Sequence, residues 1–288
     1  MARVYDTFLL FNELELLELR LNELQPVVDR FVLVEATRTF SNKPKSLHFD
    51  ANASAFQPFK DKIIHVVVDD LPQTTDTWTI EHFQRDCISR GLTSCQPDDI
   101  IMVSDVDEIP QASKVREGAL ALRFNTTVAS VLWHRLLRQR FVFRTFRNLF
   151  KKWHPFVTLF EQRQFSYYLN CVSVDTPRWY GTRMTHFRDF TTASDLRRWK
   201  GRLVANGGWH FTFMGGVERV RDKIAAYSHQ EFNTAEITDP DHVAKALRDG
   251  RNVTDEKSRF DYVRIDESYP AFLRQNLSRY SSWIRETN

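Results

Sequence analysis

The chain has few glycines, nine in 288 residues, and no internal repeat or low-complexity linker. A disordered or repeat architecture is therefore excluded, and no clean domain boundary shows. Cysteine is sparse too. Cys87, Cys95 and Cys171 make neither a disulfide framework nor a zinc spacing, so they read as free thiols in a reducing compartment. No apolar run approaches the roughly 20 residues of a membrane span. The N-terminus has no apolar signal core. Both absences point to a cytoplasmic protein without a membrane span. Asn52, Asn125, Asn252 and Asn276 begin N-x-S/T triplets, which read as chance matches without a secretory signal. The net charge is only +3, too small to imply a nucleic-acid partner. One absence is local. No acid occurs from Gly118 to Phe160, while Arg123, Arg135, Arg138, Arg140, Arg144, Arg147, Lys151 and Lys152 are all basic.

What is present is a core. Apolar residues make up 42% and aromatics 13%, a globular composition. Thr7 to Phe11 reads as a first strand. Asn12 caps the next helix, with Glu15 as its capping-box partner. Leu10, Leu14, Leu17, Leu21 and Leu24 recur at helical spacing. Phe31 to Val34, ending at Glu35, and Ile63 to Val68 read as buried strands. A helix from about Thr79 to Arg90 closes on Gly91. Ile100 to Val103 is a short apolar run without alternation, the pattern of a strand buried on both faces. This order is the grammar of a nucleotide-binding α/β half. The second half is less regular. Ser130 to Leu136, Phe165 to Cys171 and Trp209 to Phe213 read as strands. Arg219 to His229 and the segment from Asp239-Pro240 to Gly250 read as helices.

The strand at Ile100 ends in three acids, Asp105, Asp107 and Glu108, before Pro110 stops the ladder. Carboxylates at the carboxyl end of a parallel strand lie where open α/β sheets bind ligands. Alternation points Asp105 and Asp107 to one side. There they can hold a hard cation such as Mg²⁺ or Mn²⁺, whose open positions take phosphates. The same residues are compatible with a solvated acidic turn.

The chain resembles glycosyltransferase family 17, the family of a mannosyl-glycoprotein N-acetylglucosaminyltransferase and its bacterial and viral relatives. The resemblance rests on pieces in order along most of the chain. They are Tyr5-Asp6-Thr7-Phe8, Glu13 to Leu21, Val28 to Glu35, Thr39-Phe40, Trp78 with Arg85, and Ser104 to Pro110. Gly208 to Phe211 with Gly215-Gly216, and Ser228 to Asn233, complete the set. Each piece is weak alone; their joint order carries the match. The resemblance implies a GT-A fold, α/β with a Rossmann-like nucleotide-binding half and a mixed central sheet. It implies inverting transfer from a UDP-sugar to a glycan hydroxyl with Mn²⁺ or Mg²⁺. N-acetylglucosamine is the family's default sugar; xylose or another hexose would use the same diphosphate machinery. Without an anchor, a bacterial or viral glycan is the expected acceptor. The organisation expected is one catalytic domain. Residues 1–115 form the nucleotide-sugar half, 116–235 the acceptor and catalytic half, and 236–288 a helical extension.

Glycosyl transfer needs charge neutralisation at the diphosphate, a base for the acceptor hydroxyl, and positioning. Asp107 is the first expected metal ligand. Asp105 touches the ribose or the metal, and Glu108 braces the loop. His210 faces away from Trp209 and Phe211 and supplies a nitrogen ligand, or else is a core histidine. Arg85 is assigned to the nucleotide or diphosphate, against a plain salt bridge with Glu81 at i−4. Glu35 is assigned to uridine and Lys223 to phosphate, against structural and solvated roles. The base candidates are Glu161, Glu231 and Asp189. The basic, aromatic segment containing Arg144 and Arg147 is expected to border the acceptor. The alternative from another class is a catalytically inactive carbohydrate-binding protein on the same fold.

Overall fold

The computed structural model describes residues 2–125, 153–255 and 257–286. The expected strand at Ser130 to Leu136, with Arg144 and Arg147, lies outside them. The amino-terminal part alternates β1 (Val4–Leu9), α1 (Leu14–Leu24), β2 (Arg30–Ala36), the short α2 (His48–Ala51), β3 (Ile63–Val68), α3 (Thr77–Asp86) and β4 (Ile100–Asp105). These strands pair in parallel in the order β3-β2-β1-β4. A short β5 (Glu108–Pro110) and α4 (Ala112–Asn125) follow.

Period-two alternation sorts the strand residues into two cores. Phe8, Phe31, Leu33, Ile100 and Met102 pack under Leu17, Leu21 and Leu24 of α1 and Val115 of α4. Tyr5, Leu9, Val32, Val34, Ile101 and Val103 pack on the other face against Ile80 of α3. Truncating one such buried leucine to alanine costs about 2–5 kcal/mol. Helix α1 is buried on two sides, because Leu16 and Leu19 join a third cluster with Phe165, Trp209 and Phe211.

Beyond β4 the sheet becomes mixed, antiparallel at β9 and β5 but parallel between β6 and β10, and curls into a GT-A-like fold. The remaining elements are β6 (Trp153–Ser166), β7 (Cys171–Ser173), β8 (Arg178–Trp179), β9 (Arg183–His186), α5 (Ala193–Arg198), β10 (Lys200–Thr212), α6 (Gly216–Ala226), α7 (Pro240–Asp249), β11 (Phe260–Tyr262) and α8 (Ala271–Gln275). β9 bridges β4 and β6, and β10 pairs with both β5 and β6. The acid loop is thus clamped between the parallel core and β10. Gly208 has φ 145°, and a Cβ there would lie 2.2 Å from the Ile109 carbonyl oxygen. Only glycine allows β10 to approach β5 this closely.

Several sequence expectations shift. Asn12 does not cap α1. Glu13 occupies the cap position, and its carboxylate accepts from the Phe11 and Asn12 amides instead. Gly91 ends a 3₁₀ turn rather than α3, and its lack of a side chain makes room for Val32. Phe165 to Cys171 is not one strand. The chain turns between β6 and β7, with Tyr167 at φ 70°. The helix expected from Arg219 spans Gly216–Ala226, so Ser228 and His229 lie beyond it. Asp239 and Gly250 cap α7 as expected. The carboxyl-terminal stretch also supplies β11, paired with β7. Among the described residues no helix is long and apolar enough to cross a membrane.

Candidate active site

A cavity of about 440 Å³ opens at the carboxyl ends of β1 and β4, large enough for a cofactor-sized ligand. Helix α3 turns one face to it. Trp78, Glu81, His82 and Arg85 recur at helical spacing and all line it. Arg197 of α5, Trp179 of β8, His210 of β10 and Lys223 of α6 close the other sides.

The acid loop sits on a buried guanidinium. Arg20 of α1 is fully buried. It donates from Nε and Nη2 to Asp6 at 2.8 and 2.6 Å, and from Nη1 to the carbonyls of Asp105 and Glu108 at 2.9 and 2.8 Å. Asp6 and Phe8 alternate onto the α1 face of the sheet, which explains why Arg20 lies 4.5 Å over the Phe8 ring. The loop backbone is therefore fixed before any ligand arrives.

Above it, the carboxylates meet cations. Asp105 accepts from Arg85 at 2.6 Å and from Arg197 at 3.0 Å. Burial works to raise its pKa, but the two guanidinium charges win and hold it well below the usual carboxylate range. Burial likewise works against the charged form of Arg85, and Asp105 and Glu81 outweigh it, so Arg85 is raised. The expected Arg85–Glu81 bridge is present at 2.7 Å, yet the same guanidinium also reaches Asp105. Asp107 accepts from Lys223 Nζ at 2.7 Å. The ammonium also lies 3.6 Å from Glu13, and these acids raise its pKa against burial. Glu108 is buried and braces the loop. It accepts from the Asp105 amide at 2.9 Å, Trp179 Nε1 at 2.6 Å and Arg197.

The strand ends at Asp105 and the chain turns at Val106 and Asp107, so strand alternation does not extend to Asp107. Both nevertheless line the cavity. His210 points into it, while Trp209 and Phe211 lie in the core. Its Nε2 is 3.7 Å from Asp107 Oδ1, too far for a hydrogen bond. Its Nδ1 is buried with no hydrogen-bond partner among the described residues. Trp179 stacks on the ring at 4.6 Å. Burial lowers its pKa, opposed by Asp107, so the imidazole is held neutral.

Other expected site residues lie elsewhere. Glu35 is fully buried and does not line the cavity. Its carboxylate accepts from Lys45 Nζ at 3.0 Å and from the His48 and Phe49 amides at 2.5 and 3.2 Å. It orients Lys45, which does line the cavity. The three base candidates are also off the wall. Glu161 is buried against Arg178 at 2.6 Å. Asp189 lies in the turn after β9, 3.8 Å from Arg188. Glu231 is exposed and bonds His229 Nδ1 at 2.7 Å. Sequence reasoning missed Arg20, Arg197, Trp179, Lys45 and Glu13 as site builders. Only Glu13 and Arg20 carried a usable signal, since both lie in the matching run from Glu13 to Leu21.

The curled, mixed α/β sheet is a GT-A-like glycosyltransferase fold. The chain belongs to glycosyltransferase family 17, whose model matches residues 1–170. Relatives include the β-1,4-mannosyl-glycoprotein 4-β-N-acetylglucosaminyltransferases of Rattus norvegicus, Homo sapiens and Mus musculus. Each is 32% identical over 130 residues. The matched stretch covers 42% of this chain but only 23%, 24% and 23% of those proteins respectively. The chain therefore spans less than a quarter of the relatives it matches.

Proposed function

We propose that the chain transfers a sugar from a UDP-sugar to a glycan hydroxyl by inverting displacement, with a divalent cation. The sugar is N-acetylglucosamine, by analogy with the named activity of its relatives. The observation that carries this reading is the convergence of Arg85, Arg197 and Lys223 on Asp105 and Asp107 in one cavity. A leaving diphosphate needs such a preorganised cationic wall.

The donor set fits a cation in part. Asp107 Oδ1 and His210 Nε2 face each other 3.7 Å apart without a hydrogen bond, an oxygen and a nitrogen of the kind Mn²⁺ accepts. Asp105 fits less well, because both its oxygens are held by arginines. Among the described residues no group of three or more such side chains has metal-holding geometry. Asp107 and His210 would therefore hold the ion, with the donor's phosphates filling open positions. When bound, the ion supplies Lewis-acid stabilisation of the leaving diphosphate. Lys223, released from Asp107, donates to a phosphate oxygen. Arg85 and Arg197 hold Asp105 toward the ribose. Lys45 and Phe11 also line the cavity, with the ammonium 5.8 Å from the ring centroid.

Calorimetry with UDP tests this. UDP should bind more tightly with Mn²⁺ than in EDTA, and Asp107→Ala should remove the difference. Equal wild-type affinity in both would sink the metal role. No UDP binding in either would sink the donor assignment.

A further inference from the structure

We infer that His229 is the general base of the transfer, with Glu231 as the carboxylate that orients it. The inference rests on the glycosyl-transfer reading above and names the group that reading leaves open.

The five carboxylates on the cavity wall are all committed. Asp105 is bound by Arg85 and Arg197, and Asp107 by Lys223. Glu108 is bound by Arg197 and Trp179. Glu81 accepts from Arg85 and from the Ser228 hydroxyl. Glu13 accepts from two backbone amides beside Lys223. A carboxylate held by cations is a weak proton acceptor, because the same charges that lower its pKa oppose its protonation.

His229 differs. It lines the cavity, and its Nδ1 is 2.7 Å from Glu231 Oε1. The hydrogen bond from His229 lowers the Glu231 pKa, so the carboxylate is ionised and can only accept. In the neutral ring Nδ1 must then carry the proton, which leaves the lone pair on Nε2. This is the tautomer a base needs. The segment is also anchored. The Thr77 hydroxyl donates to the Ser228 carbonyl at 2.7 Å, and the Ser228 hydroxyl donates to Glu81. Trp78 meets the imidazole edge-on at 4.7 Å and is itself exposed on the cavity wall, an apolar surface for a sugar ring. Tyr227 and Phe232 flank the ring at 5.6 and 6.0 Å. Glu231 is the one charged group that bonds it among the described residues. Glu81 lies one residue away, neutralised by Arg85.

The step balances. The acceptor oxygen bonds to the anomeric carbon as its proton passes to His229 Nε2. The bond from that carbon to the diphosphate oxygen breaks, and its electron pair leaves on UDP. The imidazolium, stabilised by Glu231, later returns its proton to solvent. Water can take the acceptor's place, which gives a test that needs no acceptor.

UDP release from UDP-N-acetylglucosamine and UDP affinity by calorimetry should be measured together. His229→Gln should slow release by about 10²–10⁴-fold, the usual share of a general base, with UDP affinity unchanged. Glu231→Gln should slow it less and move the acid limb of the pH profile to lower pH, because the imidazolium loses its counter-charge. Wild-type release in His229→Gln overturns the inference, as does a fall in UDP affinity that matches the fall in rate. An NMR spectrum of the ¹⁵N-labelled imidazole decides the tautomer without turnover. Protonated Nδ1 and bare Nε2 are expected, and the opposite tautomer overturns the inference. Failure of the wild type to bind UDP would instead strike the donor reading.

Discussion

Two ionic clusters lie on either side of one loop, built from the same residue types. Below it, Arg20 and Asp6 are both fully buried, and the guanidinium is spent on a carboxylate, three carbonyls and the Ser104 hydroxyl. Above it, Asp105 keeps a side-chain exposure of 32% and Lys223 of 23%. The first cluster is closed, so it can only hold structure. The second has an open face, so its pairs can be exchanged for those of a ligand. Exposure, not composition, separates scaffold from site.

The largest expected effect breaks the closed cluster. Arg20→Met leaves Asp6 buried without a partner, which costs about 3–5 kcal/mol. Urea unfolding should show this as a lowered midpoint, and an unchanged midpoint would remove Arg20 from the scaffold. The second prediction acts on the open cluster. Lys223→Met should weaken UDP binding by about 1.5–3 kcal/mol, the worth of a hydrogen bond to a charged group, and should cost less stability than Arg20→Met. Calorimetry and unfolding of the same variant check both halves. If Lys223→Met destabilises as much as Arg20→Met, the distinction between the clusters fails.

The smallest effect sharpens the comparison by pH. Burial holds the folded His210 pKa below its ordinary value of 6.5. A group lowered on folding binds more protons when unfolded, so stability rises with pH. The contribution is full above about 6.5 and is lost as pH falls below it. The wild-type urea midpoint should therefore drop from pH 7.5 to 5.5, and His210→Asn should drop less. His48 and His154, also lowered by burial, act in the same direction. Asp105 contributes no change in this range, since its depressed pKa matters only below that of a free aspartate. Identical drops in both proteins would show that His210 is not held neutral.

Much of the parallel core was legible because its signal is local. The bounds of Ile63 to Val68 were read to the residue, although as the edge strand of the sheet it is partly exposed rather than buried, and Asp239 with Gly250 bounded a helix as their chemistry requires. The acid loop was visible because a buried strand runs into it. Glu35 misled because it also ends a strand of the same sheet. Position along the strand does not say whether a carboxylate meets solvent or the amides of α2. The base candidates misled similarly. Glu161 looked prominent after an acid-free stretch, but that stretch says nothing of Arg178, which neutralises it.

The sequence by itself determined the strands of the parallel core, the leucine stripe of α1, the acid loop and the inward turn of His210. Each follows from periodicity or local stereochemistry, which a few neighbouring residues specify. Only the tertiary structure decided which charges meet. Arg197 reaches Asp105 from 92 residues away, Lys223 reaches Asp107 from 116, and Arg20 reaches the Asp105 carbonyl from 85. Long-range ion pairs leave no periodic trace, because a charged side chain takes whichever partner the packed sheet and helices place within reach.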